Sequence, residues 1–164
     1  MTAISISPMK ITLLTLGKTT DARLSALIDE YQQRLKHYIP FEFVVVPDIK
    51  NAKSLTQDQL KTAEGEAILA RLTPAMDVLL LDEHGREFRS IEYADFLQKK
   101  MGAGRDLVLI IGGAYGFSQA VYDRANGKIS LSQMTFSHQM IRLMAIEQIY
   151  RAMTILRNEP YHHE

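Results

Sequence analysis

Apolar residues fall into two alternating patterns along this chain: short unbroken runs, and longer stretches in which they recur every three or four positions. The runs are KITLLTL (residues 10–16), FEFVVV (41–46), DVLLL (77–81), DLVLII (106–111) and a brief one over 128–131. Unbroken apolar runs of this length predict strands covered on both faces. Between the first two, Leu24, Leu27, Ile28, Tyr31, Leu35 and Tyr38 keep helical spacing until Pro40 stops the helix. Thr56 with Gln59 predicts a capping box opening a helix that reaches Leu72, ahead of Pro74. Ser90 is expected to cap a helix to about Met101, closed by Gly102 and Gly104. A short helix is predicted over 117–124 and a long one over 136–156. Asp82-Glu83-His84-Gly85 reads as a turn, and the polar stretch 48–55, with Lys50 and Lys53, as a loop. Strands alternating with helices predict one α/β domain over residues 1–164, a mostly parallel sheet with helices on both faces. Residues 1–9 read as an extension ahead of the first strand, with Met9 an alternative start.

The last helix does not keep to one apolar face. Ile141, Ala145, Ile149, Ala152, Met153 and Leu156 make one stripe, Met140, Met144 and Ile155 a second, and Leu143 and Tyr150 a third. A helix apolar on several sides must be covered on several sides, so a two-fold dimer through it is expected. Arg142 falls inside the first stripe, where a guanidinium needs a partner. An interface ion pair and a contact with an anionic or carbonyl-rich substrate both remain open. Glu147 and Arg151, four apart, are expected to pair with each other.

Composition narrows the function classes. Apolar content of 46% and charged content of 23% are ordinary for a globular protein. No run is long enough to span a bilayer, and no secretory signal is recognisable, so the expected location is cytoplasmic. With no cysteine there is no disulfide, thiol nucleophile or thiolate metal site. His138, His162 and His163 lack zinc-ligand spacing, so no metal is expected. The 19 basic and 19 acidic residues cancel, which weakens any picture of attachment to nucleic acid by bulk charge alone but leaves room for a local basic patch.

Ligands of open α/β sheets bind beyond the carboxyl ends of the strands. Three such ends stand out: Leu81 with residues 82–85, Ile111 with Gly112-Gly113-Ala114-Tyr115-Gly116, and Leu131 with Ser132-Gln133-Met134-Thr135. The glycine turn is neither a dinucleotide fingerprint, since Ala114 holds the second glycine's place, nor a P-loop. It is a tight turn or a place where bare backbone meets a ligand. Residues 131–136 are a strand-to-helix connection capped by Thr135 or Ser137, or a loop whose backbone reads an adenine edge while Leu131 and Met134 cover the ring. Tyr161 and His162, after Pro160, have no core-building reason to be where they are.

Taken together, IIGGAYGFS, SLSQMTFSHQMIRLMAIEQIYRA and PYHHE resemble the SPOUT (trefoil-knot) methyltransferases, and among them the family that methylates N3 of a pseudouridine in large-subunit ribosomal RNA. The resemblance runs from the first strand to the end; it is most specific in the C-terminal third and rests on pattern over the first 75 residues. It implies a C-terminal part threaded into a deep trefoil knot, which the general rarity of knots would never suggest. It also implies an S-adenosylmethionine site formed by that knot, an obligate homodimer, and the assembled ribosome as substrate. Carried over by motif, the cofactor contacts are Leu81, Gly112, Leu131, Ser132, Gln133, Met134, Thr135 and Phe136. Tyr161 and His162 match tail residues that reach the methyl donor from across the dimer, and His138 and Arg142 match positions lining the same cleft. On that reading His162 takes the proton, Arg142 stabilises the developing imidate oxygen and Tyr161 orients the base. His163 stands where the family tail often has arginine. Two other readings compete: a knotted methyltransferase acting on transfer RNA or a small molecule, and a non-catalytic ribosome-binding module with a cofactor-like pocket.

Overall fold

The computed structural model describes residues 9–163. Five strands, β1 (Ile11–Leu16), β2 (Phe41–Val46), β3 (Asp77–Glu87), β4 (Leu107–Ile111) and β5 (Gly127–Ser130), form one sheet in the order β2-β1-β4-β3-β5. Every neighbouring pair is parallel, as the continuous apolar runs predict. The helices are α1 (Ala22–Leu35), α2 (Gln57–Leu69), α3 (Ser90–Gly102), α4 (Gln119–Arg124) and α5 (Met140–Leu156).

Side-chain alternation sorts the strands into two cores. Ile11, Leu13, Leu79, Leu107, Leu109 and Ile111 share one with residues of α1, α3 and α5. Leu14, Leu16, Val78, Leu80, Val108 and Ile110 share the other with Ile68 of α2 and Val121 of α4. A fully buried Leu or Ile is worth about 2 kcal/mol, so the two cores together fasten the helix layers to the two faces of the sheet. Met9 belongs to the first core at 4% exposure, so the strand's packing begins one residue inside the expected extension. The rest of that extension lies outside the described residues.

The capping box forms as expected: Thr56 Oγ1 accepts from the Gln59 N–H at 3.1 Å and Gln59 Oε1 from the Thr56 N–H at 3.0 Å. Asp21 caps α1, accepting from the N–H groups of Arg23 and Leu24. Several expected boundaries move: α1 ends at Leu35 and α2 at Leu69, short of Pro40 and Leu72, and β5 covers Gly127–Ser130 rather than 128–131. Ser90 is the first residue of α3 rather than its cap, and Glu92 reaches back to the Arg89 N–H at 2.8 Å. Ser118 caps α4, which shortens the helix expected from 117. Helix α5 starts at Met140 rather than 136, because Ser137 Oγ takes the Met140 N–H at 3.0 Å and frees the residues before it.

The turn expected at 82–85 is a correction of another kind. Strand β3 continues through it to Glu87, and Ile129 is opposed twice, by Leu81 and again by Arg86. Glycine is required in the irregularity between them, since a Cβ on Gly85 would meet the Ile129 backbone at 2.6 Å.

Helix α5 packs against both α1 and α3. Tyr150 stands edge-on to Tyr31, Tyr38 and Tyr161, with ring centroids 5.5, 5.8 and 4.8 Å away. Part of the apolar surface that suggested a second subunit is therefore covered within the chain. Met140, at 42% exposure, is not. Among the described residues no helix is long and apolar enough to cross a membrane.

Candidate active site

The irregularity of β3 after Leu81 and the carboxyl ends of β4 and β5 open into a cleft of about 620 Å³. Of the residues singled out in the sequence, it brings together Leu81, Gly112, Leu131, Ser132, Met134, Thr135, Phe136 and His138. Gln133 is exposed and does not line it, nor do Arg142, Tyr161 and His162. Asp82, Glu83, His84, Tyr115, Phe117 and Tyr122 complete the wall.

Hydroxyl turns shape the loop that closes one side. Ser130 Oγ donates to the Ser132 carbonyl at 2.8 Å, and Ser132 Oγ accepts from the Met134 N–H at 3.0 Å. The loop leaves Met134 78% and Phe136 40% exposed at the cleft mouth. Large apolar side chains held in water on this scale mark a surface made to be covered. The glycine turn forms the opposite wall. A Cβ on Gly112 would lie 2.9 Å from the Phe117 ring, and one on Gly113 would lie 2.5 Å from the Glu64 carboxylate. Gly116, at φ +83°, closes the turn by donating to the Gly113 carbonyl at 3.1 Å. Tight turn and bare backbone facing the cleft are thus the same feature.

A negative charge is fixed at the mouth. Burial works against the charged form of Asp82, but the Tyr122 hydroxyl at 2.5 Å, the His84 N–H at 2.8 Å and the field of Lys128 outweigh it and hold the carboxyl below its ordinary range. Burial and the hydrogen bond to Asp82 push Tyr122 up to about 12. His138 is shifted down, first by burial and then by the Arg142 guanidinium, with Asp48 opposing. Its imidazole is therefore neutral near neutral pH.

Arg142 is 1% exposed, and its guanidinium is taken up by acceptors within the chain. Its guanidinium donates to the Leu16 carbonyl at 2.7 Å, the Gly17 carbonyl at 2.8 Å, Thr19 Oγ1 at 3.1 Å and the His138 carbonyl at 3.3 Å. Buried carbonyls at the end of β1 need donors, and one guanidinium satisfies several at once. It thereby ties the loop after β1 to the cleft residue His138.

The tail lies elsewhere, against α1 and α5. The Tyr161 hydroxyl donates to Glu147 at 3.0 Å and sits 3.0 Å from the Tyr31 hydroxyl. The expected Glu147–Arg151 pair forms at 2.8 Å, and Arg151 also reaches His162 Nδ1 at 3.1 Å. Tyr38 fixes the preceding Glu159 at 2.5 Å. Helical spacing marks Tyr31 and Tyr38 as core positions, because it reports the buried ring and not the hydroxyl at its tip. The turn chemistry of residues 82–85 likewise gives no sign of Asp82's partner Tyr122.

The cleft fits a ligand with a flat ring and a cationic end. Leu81, Leu131, Met134 and Phe136 offer apolar cover, Gly112, Gly113 and the hydroxyl loop offer backbone polar groups, and Asp82 offers charge.

Residues 9–162 match the family model described as "Predicted SPOUT methyltransferase". A protein of Parabacteroides distasonis named "Ribosomal RNA large subunit methyltransferase H" is 59% identical over 157 residues, 95% of this chain and 100% of that protein. Proteins of the same name from Flavobacterium psychrophilum and Bacteroides thetaiotaomicron are each 55% identical over the same shares. With the parallel α/β sheet and the cleft at its carboxyl ends, these likenesses lead to one conclusion: the chain belongs to the SPOUT methyltransferase family.

Proposed function

We propose that this protein uses S-adenosylmethionine to methylate N3 of a pseudouridine in large-subunit ribosomal RNA, acting in the cytoplasm as a homodimer on the assembled ribosome. The observation that carries the reading is the convergence of Leu81, Gly112, Leu131, Ser132, Met134, Thr135 and Phe136 on one cleft. The relatives' shared name, over nearly the whole chain, supports the substrate. Residues 1–164 act as one domain, whose C-terminal part is threaded as the trefoil knot that the resemblance implies.

When bound, the cofactor supplies a methyl group on a sulfonium, which leaves by in-line displacement. The chain's part is positioning. Leu131, Met134 and Phe136 would cover the cofactor's ring, backbone groups of Gly112, Ser132 and Thr135, with Gln133 beside them in the loop, would hold its polar edge, and Asp82 would face its positive charge. The imide N–H of the acceptor base must lose its proton, which calls for a weak base nearby. His138 stands in the cleft as a neutral imidazole. Tyr161 and His162, pinned on the α1–α5 face, serve the cleft of the other protomer. There Tyr161 orients the base and His162 takes the proton. Arg142 acts as a positioning residue through His138 and the β1 end rather than on the imidate oxygen.

Transfer of labelled methyl from S-adenosylmethionine to whole ribosomes, free ribosomal RNA and transfer RNA tests the proposal. The expected order puts ribosomes first. Preference for transfer RNA, or cofactor binding without transfer to any of the three, would replace it with one of the competing readings.

A further inference from the structure

A neutral protein that works on RNA must concentrate its free cations somewhere, and the structure shows where they are. Nearly all of the 19 basic residues are committed within the chain. Lys10, Arg23, Arg34, Lys61, Lys99, Lys100 and Arg151 have carboxylate partners. Arg71, Arg105, Arg124, Arg142 and Arg157 donate to carbonyls. Arg86 and Lys128 lie over aromatic rings, and Arg89 is engaged too. Among the described residues only Lys18, Lys36, Lys50 and Lys53 have no such contact, and all four are exposed.

Three of these four share one rim. Lys18 follows β1 at its carboxyl end, and Lys50 and Lys53 follow β2 at the same end of the sheet. The loop of Lys18 is fixed to the cleft. Gln139 donates to the Lys18 carbonyl at 3.1 Å and accepts from the Thr20 N–H at 2.8 Å, and its neighbour His138 lines the cleft wall. Strand β1 is the immediate neighbour of β4, and β2 lies one strand further, so the lysine loops begin about 5–10 Å along the sheet from the glycine turn. The second loop is also held: Asn51 takes a left-handed conformation at φ 59°, and Ser54 Oγ donates to its carbonyl at 2.8 Å. Asp48, the one carboxylate among residues 47–55, is exposed, with its side chain against Gly17, 2.5 Å from where a Cβ there would sit. Lys18, Lys50 and Lys53 outnumber it, so the shoulder carries net positive charge.

We propose that Lys18, Lys50 and Lys53 form a phosphate-contacting shoulder that holds the RNA backbone beside the cleft. The proposal rests on the ribosomal reading above. Contacts of this kind position the nucleic acid without reading sequence, and each one adds to the salt dependence of binding.

The test compares the parent enzyme, the triple variant K18A/K50A/K53A and the control K36A, whose lysine lies at the opposite end of the sheet. KM and kcat for methyl transfer to ribosomes are measured from about 50 to 200 mM salt, the range over which phosphate contacts show. The triple variant is expected to raise KM roughly tenfold or more and to flatten the slope of log(1/KM) against log[salt] by about one per lysine. Its kcat at saturating ribosomes stays at the parent's value, and K36A changes neither quantity. A triple variant with the parent's KM and slope, or a K36A variant that loses as much, overturns the shoulder while the ribosomal reading stands. A parent that leaves ribosomes unmethylated overturns that reading, and the shoulder with it.

Discussion

His138, just before α5, and Arg142, in its first turn, couple the cleft to the end of β1. His138 faces the cleft with its protonated form disfavoured by burial and by Arg142, so its pKa lies below the ordinary value of about 6.5. With its value depressed in the fold, this imidazole charges at a lower pH than an ordinary histidine. If the neutral ring is needed, kcat falls on an acid limb displaced below the ordinary histidine value, and His138→Gln abolishes that limb. A pH–kcat profile checks this; a limb unchanged in the variant would assign it to another group. Arg142 was legible as a misfit in an apolar stripe, but not as what it is. A sequence shows that a buried guanidinium needs acceptors, not that those acceptors are the carbonyls ending β1. Arg142→Met keeps the bulk and strands those carbonyls, so it should cost about 3 kcal/mol or more in urea denaturation. A loss below about 1 kcal/mol, the scale of an ordinary hydrogen bond, would show that water or neighbouring groups replace the guanidinium.

At the scale of elements, the strands and the capping box were readable because local rules decide them. Burial on both faces makes continuous apolar runs, and Thr56 needs only Gln59, three residues on. The loop before α5 was not readable, because Phe136, Met140 and Met144 keep a four-residue spacing across it. Periodicity extends the helix, and competition from the Ser137 hydroxyl for the Met140 N–H stops it. The long β3 was hidden for the opposite reason. DEHGRE has turn chemistry, and only pairing with β5 across the sheet makes it strand. The glycine turn belongs to this scale as well. Gly112 is pressed against the Phe117 ring and Gly113 against a carboxylate on a flexible stem. Gly112→Ala should therefore cost about 1–3 kcal/mol as an overpacked site. It should also weaken cofactor binding more than Gly113→Ala does. Thermal melts and titration calorimetry on the two variants check the order.

The whole molecule is where sequence and structure part most. A net charge of zero said only that bulk attraction to RNA is absent. The uneven commitment of the cations shows a positive shoulder, which no composition could reveal. The apolar wheel of α5 suggested a second subunit, yet α1, α3 and the ring of Tyr150 account for much of it inside one chain. What still asks for a partner is narrower: Met140 on α5, with Met134 and Phe136 at the cleft mouth, and a tail whose Tyr161 and His162 stand away from their own cleft. The central claim is methyl transfer to a ribosomal pseudouridine, and the most direct measurement identifies the product nucleoside. Ribosomes lacking the modification are incubated with the enzyme and S-adenosylmethionine, and the digested large-subunit RNA is read by mass spectrometry. One new N3-methylated pseudouridine is expected in that RNA, absent when the cofactor is withheld. A methyl group on another nucleoside, or none in ribosomal RNA while transfer RNA is labelled, would contradict it.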